Sequence, residues 1–365
     1  MKRCIPCLIA LLLAASYVHA DGYRTSIGEG DAQIAVVVVK GTPFEMGKRL
    51  GELTKDETRE LISRFLAAYT KGDAAALGQL DAAWAAMEPH VAETFLEELR
   101  GLAEGAEMPL AELKRAYMIP VLAPYSCSSI AAWGKATADG KLYMTRNLDW
   151  NLAIRAHDFP CIQVFIPDEG IPSVNVSFAG YTGTNTGMNA KGFVHAEMGD
   201  SPGRDAPYDC DGIHFTILFR DIMTRAGSLE EALALFKEAK HIKKYHYVFG
   251  DGAAKAGIKI RAHTPKPFQY WSDNDPADEL APNVLEGVVY QDEGRGAYRP
   301  LKEAWGKIDA ATLQDIAKAI PIKGSNVLDV VYNGTDLELW ASYAKGKTEA
   351  YQRPFVHFRL KDYLD

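Results

Sequence analysis

The apolar positions fall into two regimes. Gln33 to Lys40 (QIAVVVVK) is an unbroken β-branched run, the pattern of a strand buried on both faces. Thr42-Pro43-Phe44-Glu45 follows and announces a helix, with Thr at the cap, Pro in the first turn and Glu three residues after the cap. From there to about Tyr117 the pattern is helical and rich in Ala, Leu and Glu. Pro89 and Gly101 punctuate it, and Met108-Pro109 opens a last short helix. The stretch Ile119 to Ser126, with Pro120 and Pro124, breaks the helical pattern and reads as an exposed connector.

After Cys127 the period shortens. Ser128–Ala136 and Lys141–Leu148 flank Ala138-Asp139-Gly140 as a hairpin, and Cys161–Ile166 and Ser173–Phe178 follow as strands. Ile213–Arg225 is helical, and the Ser228-Leu229-Glu230-Glu231 capping box opens a helix running to about Lys240. Tyr245–Gly250 and Gly257–Ala262 pair around Asp251-Gly252. A helix spans about Ala310 to Ile320. Val327–Tyr332 and Asp336–Ala341 pair around Asn333-Gly334. Many hairpins interrupted by helices predict α+β layers rather than a parallel βαβ sheet.

Composition narrows the function. The chain has 365 residues, 40 Lys+Arg against 48 Asp+Glu and a net charge of −8, which excludes a basic nucleic-acid footprint. Lys2 and Arg3, an apolar run from Cys7 to Ala15 and a small-residue exit at Ala20 describe an export signal over residues 1–20, too short for a membrane span. Its removal leaves 38 basic and 48 acidic side chains, a net charge of −10. The expected location is secreted or periplasmic. Cys4 and Cys7 leave with the signal, so Cys127, Cys161 and Cys210 remain, an odd number for an oxidising compartment. Cys161 and Cys210 either pair or sit in the core. A thiol left single is inert through burial or is chemically employed.

The chemistry gathers at Cys127. A turn centred on Asp139-Gly140 sets Cys127 across from about residue 152 and carries Arg146 and Asp149 back beside it. An arginine beside a thiol favours the thiolate, and a carboxylate there holds a protonated amine. Arg146 and Asp149 are three apart, so a flat strand turns them to opposite faces, and a strand end or bulge at Asn147 is expected. Other constellations fail. His195-Ala196-Glu197 lacks the P-C-x-x-C of zinc deaminases, no H-E-x-x-H occurs, and no phosphate-binding glycine loop follows a strand. No cofactor and no metal are expected.

The run Cys127-Ser128-Ser129 … Asp139-Gly140-Lys141 … Arg146-Asn147-Leu148-Asp149-Trp150 resembles the start of the catalytic chain of N-terminal-nucleophile amide hydrolases, nearest the penicillin acyltransferase-like (peptidase C45) group. Choloylglycine hydrolases, penicillin V acylases and the acid ceramidase group are more distant relatives of it. The resemblance implies a four-layer αββα sandwich and self-cleavage between Ser126 and Cys127. That would give a helical chain over 21–126 and a catalytic chain over 127–365, which stay associated. It implies Cys127 as nucleophile with its own α-amine as base, and Arg146 and Asp149 as the accompanying pair. Tyr181 to Phe193 (YTGTNTGMNAKGF) is similar to the group's glycine-rich segment ahead of an oxyanion-hole strand, which directs attention to Glu197 and Gly199. The stretch comparable to the group's second oxyanion donor is Val289-Tyr290-Gln291-Asp292, without an Asn, and the later family arginine is matched to Arg299. The expected substrate is a small N-acyl amide, cleaved or transferred at its C–N bond. The rivals are an inactive secreted relative that binds, and a lipid ester hydrolase of similar fold.

Overall fold

The computed structural model describes residues 22–122, 125–199, 209–242, 245–262, 268–279, 281 and 283–364, so residues 1–20, the expected signal segment with Cys4 and Cys7, lie outside the described residues. The first strand is β1 (Gly22–Ile27), a polar edge strand whose exposure hides it from the sequence pattern. It pairs with β2 (Ile34–Gly41), the β-branched run. Thr42 then caps α1 (Pro43–Leu53) through a complete capping box with Glu45. The helices α2 (Lys55–Thr70), α3 (Ala74–Met87), α4 (Glu93–Gly105) and α5 (Leu110–Leu122) follow. The region before Cys127 therefore supplies, besides its helices, the expected strand β2 and the unexpected strand β1.

Two punctuation marks behave differently from expectation. Gly101 does not break a helix; it lies inside α4 and faces α1, where a methyl group would collide with the Phe44 carbonyl. Gly47 of α1 and Gly105 of α4 meet the partner backbone in the same way, so the two helices cross at backbone contact. Pro120 does not end α5 either. The last turn carries it because Ile119 and Val121 are buried on both sides of it.

The remaining elements are β3 (Ser126–Gly134), β4 (Gly140–Asp149), β5 (Pro160–Pro167), β6 (Ser173–Phe178), β7 (Thr186–Asn189), β8 (Phe193–Gly199), α6 (Phe215–Arg225), α7 (Leu229–Glu238), β9 (Tyr245–Asp251), β10 (Ala256–Ala262), β11 (Gln269–Trp271), β12 (Val288–Gln291), α8 (Tyr298–Ala304), α9 (Ala310–Ala319), β13 (Asn326–Asn333), β14 (Glu338–Tyr343) and β15 (Val356–Arg359). They form a nine-stranded sheet, β1-β2-β5-β6-β7-β8-β9-β10-β11, and a six-stranded sheet, β12-β3-β4-β13-β14-β15. The pairings between these strands are antiparallel except β2 with β5, which run parallel.

The layering follows from burial. The two sheets face each other through β3 and β4 against β8 and β9, and α1, α6 and α7 cover the outer face of the larger sheet. On the far face of the smaller sheet, Ile130, Tyr143, Tyr290 and Val331 pack against Leu301, Leu313 and Ile316 of α8 and α9. This is the α+β, four-layer αββα sandwich that the resemblance implies.

The β3–β4 hairpin carries one correction. The loop between Gly134 and Gly140 is centred near Thr137 rather than on Asp139-Gly140, so Cys127 stands opposite Leu148 rather than residue 152, and a one-residue register shift falls between Ala132 and Gly134. No bulge interrupts β4 at Asn147. The irregularity falls on β13, between Asn326 and Leu328, where it lets Asn326 face Asp149. Arg146 and Asp149 therefore do occupy opposite faces of one continuous strand.

Candidate active site

Directly paired residues of antiparallel strands share a face, so Cys127, Ser129, Arg146 and Leu148 all point from the smaller sheet toward the larger one. Cys127 is wholly buried, and burial pushes its thiol up to about 12. The Arg146 guanidinium opposes that shift, and the Glu197 and Asp149 carboxylates reinforce it. Arg146 is held by its Nε on the Glu197 carbonyl at 3.4 Å, with Nη2 3.9 Å from the Glu197 carboxylate. Its Nη1 is buried without a partner, a cationic donor still open beside the thiol.

Asp149, 2% exposed, receives Arg295 Nη1 on Oδ2 at 2.6 Å and the Asn326 amide on Oδ1 at 3.2 Å. Burial raises its pKa while Arg295 pulls it down. Arg295 also donates to the Cys127 carbonyl at 2.5 Å and to the Asp292 carbonyl at 2.7 Å. One fork thus ties the Cys127 backbone to the Asp149 carboxylate.

The other sequence-derived positions sort out plainly. Glu197 is buried and accepts from the Tyr125 hydroxyl at 2.5 Å, two residues before Cys127. Gly199 leaves room for the Tyr125 carbonyl, which any Cβ would strike. The Glu197 N–H is spent on the Asn185 carbonyl at 3.3 Å. Ser126, 4% exposed, donates to Glu293 at 3.0 Å. Asp292 is no oxyanion donor. Its carboxylate takes the N–H groups of Gly294 and Ala297 and so shapes the turn that presents Arg295. Arg299 is not brought to the site: its side chain is 87% exposed and pairs with Glu303. The arginine at the site is Arg295, four residues earlier, between Gly294 and Gly296 and after Glu293, a turn with positive φ at Glu293, Gly294 and Gly296. Those flanking glycines were the available signal.

Cys161 and Cys210 are unbonded; Cys161 is buried in β5 and Cys210 is half-buried. His195 is fully buried, its ring stacked on Phe219 at 4.0 Å, and among the described residues no His/Cys/Asp/Glu group is arranged to hold a metal ion. No helix among the described residues is long and apolar enough to cross a membrane.

A small cleft opens beside this centre. Its walls are Phe65, Tyr125, Trp150, Phe178, Tyr181 and Phe215, with Arg146 and Leu148 at one side. Phe65 of α2 meets Trp150 edge-to-face at 5.4 Å. Tyr181 stacks on Tyr117 of α5 at 4.6 Å, and the Tyr117 hydroxyl accepts the Thr182 N–H at 2.7 Å, which fixes the glycine-rich segment. The cleft is apolar, and elements before and after residue 127 build it together.

Residues 136–267 match the family described as acyl-coenzyme A:6-aminopenicillanic acid acyl-transferase, the group that the motif around Cys127 resembles. The chain is 26% identical over 337 residues to protein dcd1B of Dictyostelium discoideum, covering 83% of this chain and 66% of that protein. It is 22% identical over 400 residues to dcd1A of the same organism, covering 94% and 89%. A solved structure similar to it is the Caenorhabditis elegans N-acylethanolamine-hydrolyzing acid amidase ortholog, at 15% identity and a TM-score of 0.45, covering 63% of this chain and 98% of that one.

Proposed function

Starting from a chain whose residues 136–267 carry the penicillin acyltransferase-like domain, we propose that it is the precursor of an exported cysteine N-terminal-nucleophile enzyme. It cuts itself before Cys127 and then hydrolyses or transfers the acyl group of a small N-acyl amide. The observation that carries this reading is the placing of Cys127 on the face of Arg146, with Arg295 joining the Cys127 carbonyl to Asp149.

In the first step the Cys127 sulfur attacks the Ser126 carbonyl carbon, the Ser126–Cys127 C–N bond breaks and a thioester forms. Water then hydrolyses the thioester, leaving Ser126 with a carboxylate and Cys127 with a free α-amine. In turnover that amine takes the thiol proton as the sulfur attacks the substrate amide, and returns it to the departing nitrogen. Water, or a second amine, resolves the acyl-enzyme. Asp149 with Arg295 holds the end of β3 in place, and Arg146 offers its open Nη1 to the developing negative charge. The aromatic cleft suits an apolar acyl group.

Intact mass and N-terminal sequencing of the purified protein beside Cys127→Ala test the reading. The wild type should give two fragments, one beginning at Cys127, and the variant a single uncut chain. A wild type that stays whole through long incubation removes the α-amine base and leaves a binding protein as the surviving account.

A further inference from the structure

The Asp149 carboxylate is gripped from two sides, by Arg295 and by the Asn326 amide. Asn326 cannot turn away, because its Oδ1 receives the Tyr351 N–H at 2.8 Å and commits Nδ2 to the carboxylates. The same Nδ2 donates to Asp329 Oδ1 at 2.7 Å. Asn147 Nδ2 reaches that oxygen too, at 2.6 Å, and is itself anchored on the Ala317 carbonyl of α9 at 3.0 Å. Asp329 stands opposite Asn147 across β13 and β4, and Asn326 stands opposite Asp149. Asn147, Asn326 and Asp329 are all wholly buried, and Asp329 Oδ2 has no partner. The reaction proposed above makes no use of Asp329, yet one of its oxygens collects both amides that line up beneath Asp149.

We propose that Asp329 is a positioning residue: it pins Asn147 and Asn326 so that Asn326 holds Asp149 in the orientation that the Cys127 centre requires. This role rests on the function proposed above. On the face of Asp329 the charged group is Asp149 of β4, while Arg146 acts on it from the opposite face of the same strand; β14 brings the Ser342 hydroxyl opposite it, and α9 brings the Ala317 carbonyl. Burial pushes Asp329 up to about 8, with the Asp149 charge adding to the rise and the two asparagine amides opposing it. It therefore keeps a proton at neutral pH, on the oxygen that receives no amide. An asparagine there can offer the same acceptor and cannot titrate; an alanine offers neither.

The test compares wild type, Asp329→Asn and Asp329→Ala in two measurements, the self-cleavage rate between pH 5 and 10 and the melting temperature over the same range. Asp329→Ala should cut about 10- to 100-fold more slowly, the scale of a misaimed catalytic group. Asp329→Asn should keep most of the wild-type rate at neutral pH and lose any decline in rate that wild type shows as pH passes about 8. The stability sign follows from the raised pKa. The contribution of the retained proton is complete below the unfolded value of 3.8 and drains away as pH rises through about 8. Asp329→Asn should therefore melt with a flatter pH dependence across that window. If wild type cuts and the two variants slow alike, the positioning role falls while the proposed function stands. If wild type never cuts, the function falls and this role with it.

Discussion

Buried between two sheets, the Cys127 thiol is held neutral by desolvation while Arg146 pulls toward the thiolate. In the proposed function, a free amine at the same residue would supply the base. The residues that do this were partly legible: a cysteine after a proline-rich stretch, then an arginine and an aspartate in the returning strand. Arg295 was not, because its role depends on a turn of positive-φ residues rather than on periodicity. His195 shows the same contrast. In sequence it mimics half of a metal motif; in the fold it is a neutral ring stacked on Phe219, its pKa driven well below 6.5 by burial and secondarily by Arg146. A depressed histidine stabilises the fold above its unfolded pKa and withdraws that support as pH falls, by about 1.4 kcal/mol per pH unit. His195→Phe keeps the stack and removes the proton site. Its melting temperature should fall less than the wild type's between pH 7 and 5, and an equally steep fall would discard this account.

Elements were more legible than their register. Ser173–Phe178 and the Thr42 capping box appear where the pattern put them, and the β13–β14 hairpin forms with its turn at Gly334–Leu337 rather than around Asn333-Gly334. The β3–β4 register differs from expectation because the connecting loop is centred near Thr137 and not on Asp139-Gly140, a placement that a two-residue period does not mark. Gly101 misled for a related reason: glycine signals a break in isolation, and only the α1–α4 crossing shows that it makes room for a neighbouring backbone. That crossing is testable by two alanines. Gly101→Ala forces a methyl into the Phe44 carbonyl and should cost about 2 kcal/mol or more. Gly78→Ala, in open space on α3, should gain about 0.5–1 kcal/mol from helix propensity. Equal melting temperatures for the two variants would refute the crossing.

At the scale of the whole molecule, the sequence separates a helical half from a strand-rich half, and the structure knits them together. The parallel β2–β5 pairing places an N-terminal strand inside the large sheet, a long-range link that no local pattern announces. Glu98 of α4 and Arg220 of α6 form a buried bidentate pair, with contacts of 2.7 to 3.2 Å, and the guanidinium lies 4.0 Å over the Phe165 ring. Removing one partner leaves a buried charge, so Glu98→Ala should cost about 3–5 kcal/mol. After the proposed cut the two pieces of wild type should still co-elute under native conditions. Pieces that separate there without denaturant would contradict the shared sheet.

The placement of β2 also sets the order of events in the life of the chain. As one polypeptide, β2 and β5 find each other as neighbours on a tether, with loop closure as the cost. Severing the chain before Cys127 abolishes that tether, and reunion becomes a bimolecular encounter whose speed depends on dilution. Refolding of the uncut Cys127→Ala chain should then be independent of concentration, whereas refolding of the cut protein should slow as it is diluted. The mature molecule would owe its persistence to slow unfolding, having passed once through a fold that it cannot readily find again.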